Sequence, residues 1–243
     1  MQIFGVTDRG CVREQNQDAF AYHMIAPDVG LAVVCDGMGG AKAGNIASTL
    51  AVSRFVSVFL GHDNSGEPDR IRDALTDAAE QANREVYQRS LSDQDCRGMG
   101  TTVVAAYVTQ EYALLMNEGD SRAYYIRSSG ISLVTRDHSL VQQLLERGDI
   151  TEEQARSHPQ KNLITRALGV EPELKADLYD LNWSRGEFLL LCSDGLSNTL
   201  TDQELLYEVI HGGAPEDCCD RLLAITLQRG APDNVTAVLI SND

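Results

Sequence analysis

Residues 101–137 read TTVVAAYVTQEYALLMNEGDSRAYYIRSSGISLVTRD, and this stretch decides the fold class. It holds four strand-like runs rich in β-branched and aromatic residues: TTVVAAYV, YALLMNE, RAYYIRS and ISLVTRD. Their connections run through Gln110-Glu111, Gly119-Asp120-Ser121 and Ser128-Ser129-Gly130, short enough for an antiparallel meander. Outward from this centre, QIFGVTD, DAFAYHM and GLAVVCD predict strands near the start of the chain. PELKADLYDL, EFLLLCS and VTAVLI predict strands toward its end. A small, apolar helix is expected over 43–60. After the polar loop GHDNSGEP comes a longer helix, in which Ile71, Leu75, Ala78, Ala82 and Val86 mark one buried stripe. Residues 138–170 break the rhythm with the helix pattern SLVQQLLERG, a Thr151–Gln154 capping box and the turn-like His158-Pro159. Thr201 with Glu204 caps another helix, and Pro215 begins the next. Strands in runs with helices grouped between them predict an α+β fold, helices covering antiparallel sheets, in a single domain over 1–243.

A chain of 243 residues can bury a substantial core, and 43% hydrophobic with 23% charged residues is ordinary for a soluble globular protein. The net charge of −16 argues against nucleic acid or an anionic membrane as partner, since both require a basic footprint. It also predicts that an anionic substrate must be drawn in by local charge, against the global field. The six cysteines show no C-x-x-C spacing, and Cys35 and Cys192 end apolar runs as small core residues would. A reducing cytoplasm fits this usage best. MQIFGVTDRG lacks the pattern of a signal peptide, and no apolar run is expected to span a membrane.

Four aspartates stand where a strand meets a sharp Gly or Asn turn: Asp36 before Gly37, Asp120 after Gly119, Asp194 before Gly195, and Asp233 before Asn234. No Lys or Arg adjoins Asp36, Asp194 or Asp233 in the sequence. Converging like charges raise one another's pKa unless a cation holds them, and all-oxygen ligands suit Mg²⁺ or Mn²⁺. The rival chemistries fare worse. The loop after Asp36 lacks the spacing and lysine of a P-loop, and no G-x-S-x-G accompanies Ser121. The five histidines form no i, i+4 pair and read as surface or loop residues. Water is then the natural nucleophile, since two metals about 3.5–4 Å apart can bridge a hydroxide for in-line phosphoryl displacement. Arg13, in the segment Val12 to Asp18, is the candidate to grip the phosphate bidentately.

Taken together, Arg13 with Asn16-Gln17-Asp18, Asp36-Gly37-Met38-Gly39-Gly40, Gly100-Thr101-Thr102, Gly119-Asp120-Ser121-Arg122, Ser193-Asp194-Gly195-Leu196 and Asp233-Asn234-Val235-Thr236 resemble the metal-dependent protein phosphatase family of the 2C type. The likeness covers residues 1–243 and is strongest to the short bacterial serine/threonine phosphatases. It implies a sandwich of two antiparallel β-sheets flanked by α-helices, a metal cluster at one edge, and a flap-like segment at 138–170. It further implies that Asp36 bridges two Mn²⁺ or Mg²⁺ ions, with the Gly37 carbonyl on the second and Asp194 and Asp233 on the first. Asp18 would order metal-bound waters, Asp120 with Asp194 would hold a third, weaker ion, and Asn162 would approach that site. The implied partners are phosphorylated proteins and a cognate serine/threonine kinase, with the enzyme a monomer. Gln17 and Met38 depart from a glutamate and a histidine common in eukaryotic members, which leaves protonation of the leaving group to a metal-bound water. Gly100-Thr101-Thr102 reads as structural, and Arg122 as packing its stem on a neighbouring strand. Two rival functions are a hydrolase of small phosphate esters and a non-catalytic regulatory relative.

Overall fold

The computed structural model describes residues 1–40, 43–63, 67–156 and 158–243; Ala41 and the middle of the loop at 61–68 fall outside it. Eleven strands are found among these residues. One sheet is built from β1 (Gln2–Asp8), β11 (Val235–Ser241), β10 (Phe188–Cys192), β7 (Arg122–Arg127) and β8 (Gly130–Leu133), in that spatial order. The other runs β2 (Asp18–Ala26), β3 (Val29–Met38), β5 (Val103–Val108), β6 (Tyr112–Glu118) and β9 (Asp177–Asn182), with β4 (Gly100–Thr101) also pairing with β3. Every pairing is antiparallel.

The near-continuous apolar runs follow from burial on both faces. Along β3, Ala32 and Val34 face the opposite sheet, while Leu31, Val33 and Cys35 face helices α1 (Ala43–Gly61) and α2 (Pro68–Ser92). Along β10, Leu189 and Leu191 point between the sheets, and Leu190 and Cys192 point at α6 (Asp202–His211) and α7 (Pro215–Gln228). The period-two alternation therefore separates two apolar faces instead of an apolar and a polar one. The result is the expected layering of helix, sheet, sheet, helix. The stripe from Ile71 to Val86 is fully buried on α2. The capping box of Thr201 and Glu204 closes the N-terminus of α6.

Two expectations are corrected. The runs of residues 101–137 do not form one meander: β5 and β6 pair in one sheet, β7 and β8 pair in the other, and Gly119–Ser121 steps between sheets. Side-chain alternation cannot reveal such a step, because both sheets demand the same pattern. The expectation of no membrane-length run also fails on length and composition alone. Helix α1 is long and apolar enough to cross a bilayer, yet half of its apolar window is buried in this fold, with Ala47, Ala51, Phe55 and Phe59 in the core shared with α2 and β3.

Antiparallel pairing brings the C-terminal ends of β1, β3, β6 and β10 to the same edge as the N-terminal ends of β2, β7, β9 and β11. Every candidate aspartate lies at or beside one of these ends.

Candidate metal centre

Asp18 and Asp36 are direct partners across the β2–β3 ladder. Like charges facing each other across two strands are destabilising unless something neutralises them. Burial, then the nearby Asp18, Asp194, Asp120 and Asp233, pushes the Asp36 carboxyl well above its ordinary range. Asp18, only 6% exposed, is raised to about 6 by burial, although hydrogen bonds from Thr236 and Ser193 pull it down. Asp194 is raised to about 6 by burial and Asp233, and Asp120 to about 8 by burial and Asp194.

Neighbouring side chains take up only part of the bonding capacity of Asp18 and Asp194. Ser193 Oγ and Thr236 Oγ1 each lie 2.7 Å from Asp18 Oδ2, so residues of β11 and of the turn after β10 grip an aspartate of the other sheet. Asp194 opens the short helix α5 (Asp194–Ser197), and its Oδ2 accepts from Asn198 at 3.0 Å. A side chain at Gly195 would collide with the Asn234 carbonyl, so only glycine lets this turn sit against the loop of Asp233. Thr102 Oγ1 accepts the Asp36 N–H at 2.9 Å and lies 2.6 Å from Ser121 Oγ, while Thr101 Oγ1 donates to the Asp36 carbonyl. The Gly100-Thr101-Thr102 segment is thus a backbone clamp on Asp36.

One oxygen each of Asp18, Asp120 and Asp194 is left buried with no hydrogen-bond partner. Buried acceptors of this kind are costly, and a hard cation is the partner that would satisfy several of them at once. Among the described residues no three acidic, histidine or cysteine side chains close around one point. The donors at this edge are carboxylate oxygens, the ligand type hard ions such as Mg²⁺ take, with waters completing the shell. The donor set therefore fits Mn²⁺ or Mg²⁺.

Arg13 lies beside Asp233. Its guanidinium lies 2.6 Å from Asp233 Oδ2, so a cationic side chain distant in sequence already neutralises one of the four aspartates. The loop that carries it is held by Asn234, whose amide donates to the Arg9 and Gln15 carbonyls and whose Oδ1 accepts the Gln17 N–H. Gln17 Nε2 reaches the Gly40 carbonyl at 3.3 Å. Gly37 is buried, and a side chain there would collide with the Gly44 carbonyl at the start of α1. Arg122 is gripped bidentately by Asp137, with its other nitrogen 3.1 Å from the Tyr124 hydroxyl, so its charged end is anchored as well as its stem. Asn162 is exposed, and no hydrogen bond joins it to the carboxylates among the described residues. His138, read from sequence as a surface or loop residue, is 4% exposed with both ring nitrogens engaged. The buried Thr, Ser and Asn supports were visible in the sequence only as members of the family motifs, and their bonds to Asp18 and to the Asp36 backbone were not.

A sandwich of two antiparallel sheets gathers five aspartates and Arg13 at a single edge, an all-oxygen set of donors whose chemistry suits hard divalent cations. The sequence profile of protein phosphatase 2C matches residues 12–214, and the chain belongs to that family. It is 34% identical over 237 residues to a serine/threonine phosphatase stp of Listeria monocytogenes, covering 98% of this chain and 94% of the relative. The crystal structure of serine/threonine phosphatase Stp1 from Staphylococcus aureus superposes with a TM-score of 0.93 at 35% identity, covering 99% and 94%. The phosphatase PstP/Ppp of Mycobacterium tuberculosis superposes with a TM-score of 0.86 at 33% identity, covering 98% and 97%.

Proposed function

We propose that this protein is a Mn²⁺- or Mg²⁺-dependent serine/threonine phosphatase that hydrolyses phosphoserine and phosphothreonine in proteins, opposing a serine/threonine kinase. The observation that carries this reading is the set of unpartnered, buried carboxylate oxygens at one edge, with Arg13 beside them. Residues 1–243 act as one catalytic domain, with 138–170 as its flap. The free state of all six cysteines supports a reducing cytoplasm as its location.

In this reading Asp36, the Gly37 carbonyl, Asp194 and Asp233 would hold two ions, Asp18 would order the waters around them, and Asp120 with Asp194 would hold a third, weaker ion. Bound there, the ions would supply a water acidified enough to attack phosphorus at neutral pH and positive charge for the phosphoryl oxygens. Thr102 and Ser121 keep the Asp36 backbone still, and Ser193 and Thr236 leave only one Asp18 oxygen turned toward the centre. Arg13 orients the phosphate through its planar guanidinium. Release of phosphate from a phosphothreonine peptide with Mn²⁺, abolished by EDTA and restored by Mn²⁺, tests the assignment. Hydrolysis of small phosphate esters with no release of phosphate from the phosphopeptide would overturn it.

Arg13→Ala should lower kcat/KM about tenfold to a hundredfold, since a charge-assisted hydrogen bond contributes about 1.5–3 kcal/mol. Because Arg13 pairs with an Asp233 oxygen, its removal should leave Mn²⁺ binding as tight or tighter. Calorimetric titration showing loss of the tight ions would make Arg13 a structural residue instead.

Asp120→Ala should keep two ions and the fold, yet slow hydrolysis of a phosphothreonine peptide. If that site helps protonate the leaving group, p-nitrophenyl phosphate should suffer less, because nitrophenolate departs without a proton. Equal losses on both substrates would exclude the proton-donor role.

A further inference from the structure

His138 stands between the Asp120 turn and the segment 138–170. Its Nδ1 lies 3.0 Å from the Gly119 amide nitrogen, and its own N–H donates to the Gly119 carbonyl at 2.8 Å. One residue therefore holds both polar groups of the glycine that precedes Asp120. Gly119 needs that support: its φ of +117° is a conformation few residues adopt, and a Cβ there would lie 2.6 Å from Thr102 Cγ2. An N–H can only donate, so Nδ1 is the acceptor and carries no proton. The ring proton is then on Nε2, which donates to Asp177 Oδ2 at 3.1 Å.

The other side of the same residue faces the flap. The Thr165 N–H donates to the His138 carbonyl at 2.8 Å, and Ser139 forms a β-bridge with Ile164. Arg166 Nη2 lies 2.9 Å from Glu118 Oε2 and 3.1 Å from Asp177 Oδ1. Glu118 is the residue before Gly119, and Asp177 is the acceptor of the His138 ring. The flap backbone, Arg166, Asp177 and His138 thus form a closed set of bonds around the peptide that aims Asp120. Asp120 itself is 8% exposed and keeps one oxygen without a partner.

We propose that His138 is a positioning residue for Asp120, coupling the conformation of segment 138–170 to the weak third-ion site through the Gly119 peptide. The inference rests on the reading of Asp120 as an ion ligand. Groups that orient a metal ligand typically change metal affinity or activity about tenfold to a hundredfold when removed.

The test compares His138→Gln, which can still donate to Asp177 but no longer offers an acceptor at the Nδ1 position, with His138→Asn, which keeps that acceptor. Calorimetric Mn²⁺ titration of the full chain should show the weakest site about tenfold weaker in His138→Gln, near wild type in His138→Asn, and the two tight sites unchanged in both. In an Asp120→Ala background, His138→Gln should cause no further loss of kcat on a phosphothreonine peptide, because both changes act through one carboxylate. Equal loss in both backgrounds, or parallel weakening of all ions, would reduce His138 to a packing residue. If Asp120→Ala itself retains a third ion, the ligand assignment fails and takes the coupling with it. If Asp120→Ala loses that ion while His138→Gln keeps it at wild-type affinity, the coupling alone fails. A measurement that needs no substitution at His138 is a Mg²⁺ titration followed by nitrogen NMR. The Gly119 amide and His138 ring nitrogens should shift over the concentrations that fill the weak site, and not in Asp120→Ala. Shifts complete once the tight sites fill would overturn the proposal.

Discussion

Asp36→Asn is expected to lower kcat/KM on a phosphothreonine peptide by more than about a hundredfold while leaving the fold intact, and Asp194→Asn to do the same. A residue that merely orients a ligand costs about tenfold to a hundredfold, and in the proposed site these two are ligands themselves. Asp36 sits opposite Asp18 and feels Asp194, Asp120 and Asp233, so its charge is tolerable only with cations present. An asparagine fills the same space, keeps the β3 backbone clamped by Thr101 and Thr102, and removes that repulsion. Ion-free Asp36→Asn should therefore melt above the ion-free parent at pH 8, although it is inactive. Circular dichroism with an Mn²⁺ titration checks both halves. Near-normal turnover in a preparation shown to bind ions would remove Asp36 from the site.

The second large effect is on the ion-free protein as pH rises. Asp18, Asp194 and Asp120 have folded pKa values above the ordinary carboxylate range, at about 6, 6 and 8. A group whose pKa is raised by folding stabilises the native state below its unfolded pKa and loses that contribution as pH climbs through the folded value. The window therefore opens near pH 4 and closes near pH 8. One pKa unit is about 1.4 kcal/mol, so Asp18 alone contributes on the order of 2–3 kcal/mol. About half of that, roughly 1.4 kcal/mol, is lost between pH 5 and pH 8, which for a chain of this size is a fall in Tm of roughly 3–6 °C. Ions favour the ionised carboxylates, so the Mn²⁺-loaded protein should show no such fall, and the gap between loaded and EDTA-treated samples should widen with pH. Parallel melting curves for the two across this range would show that the aspartates do not form one buried cluster.

Much of this was legible in the chain. The period-two runs, the buried stripe of α2 and the capping box of α6 are local patterns, and local backbone geometry decides them. The aspartates could be picked out because each stands beside a residue that permits a sharp turn. Family likeness then assigned the fold, the class of chemistry and the expected ligands.

Tertiary structure alone decided how these parts are wired. That Gly119–Ser121 crosses between sheets is invisible in the alternation, because strands of either sheet bury both faces and read alike. Arg13 and Asp233 are 220 positions apart, so their ion pair exists only after β1 and β11 pair and Asn234 pins the intervening loop. His138 looked like any loop histidine, since nothing in its neighbours announces a partner at Gly119, 19 residues earlier, or at Asp177, 39 residues later. Sequence determines which residues can turn, alternate or carry charge, because those are properties of the residue and its few neighbours. Which charges meet, and which are left buried without a partner, depends on the packing of distant segments, and that only the folded chain defines.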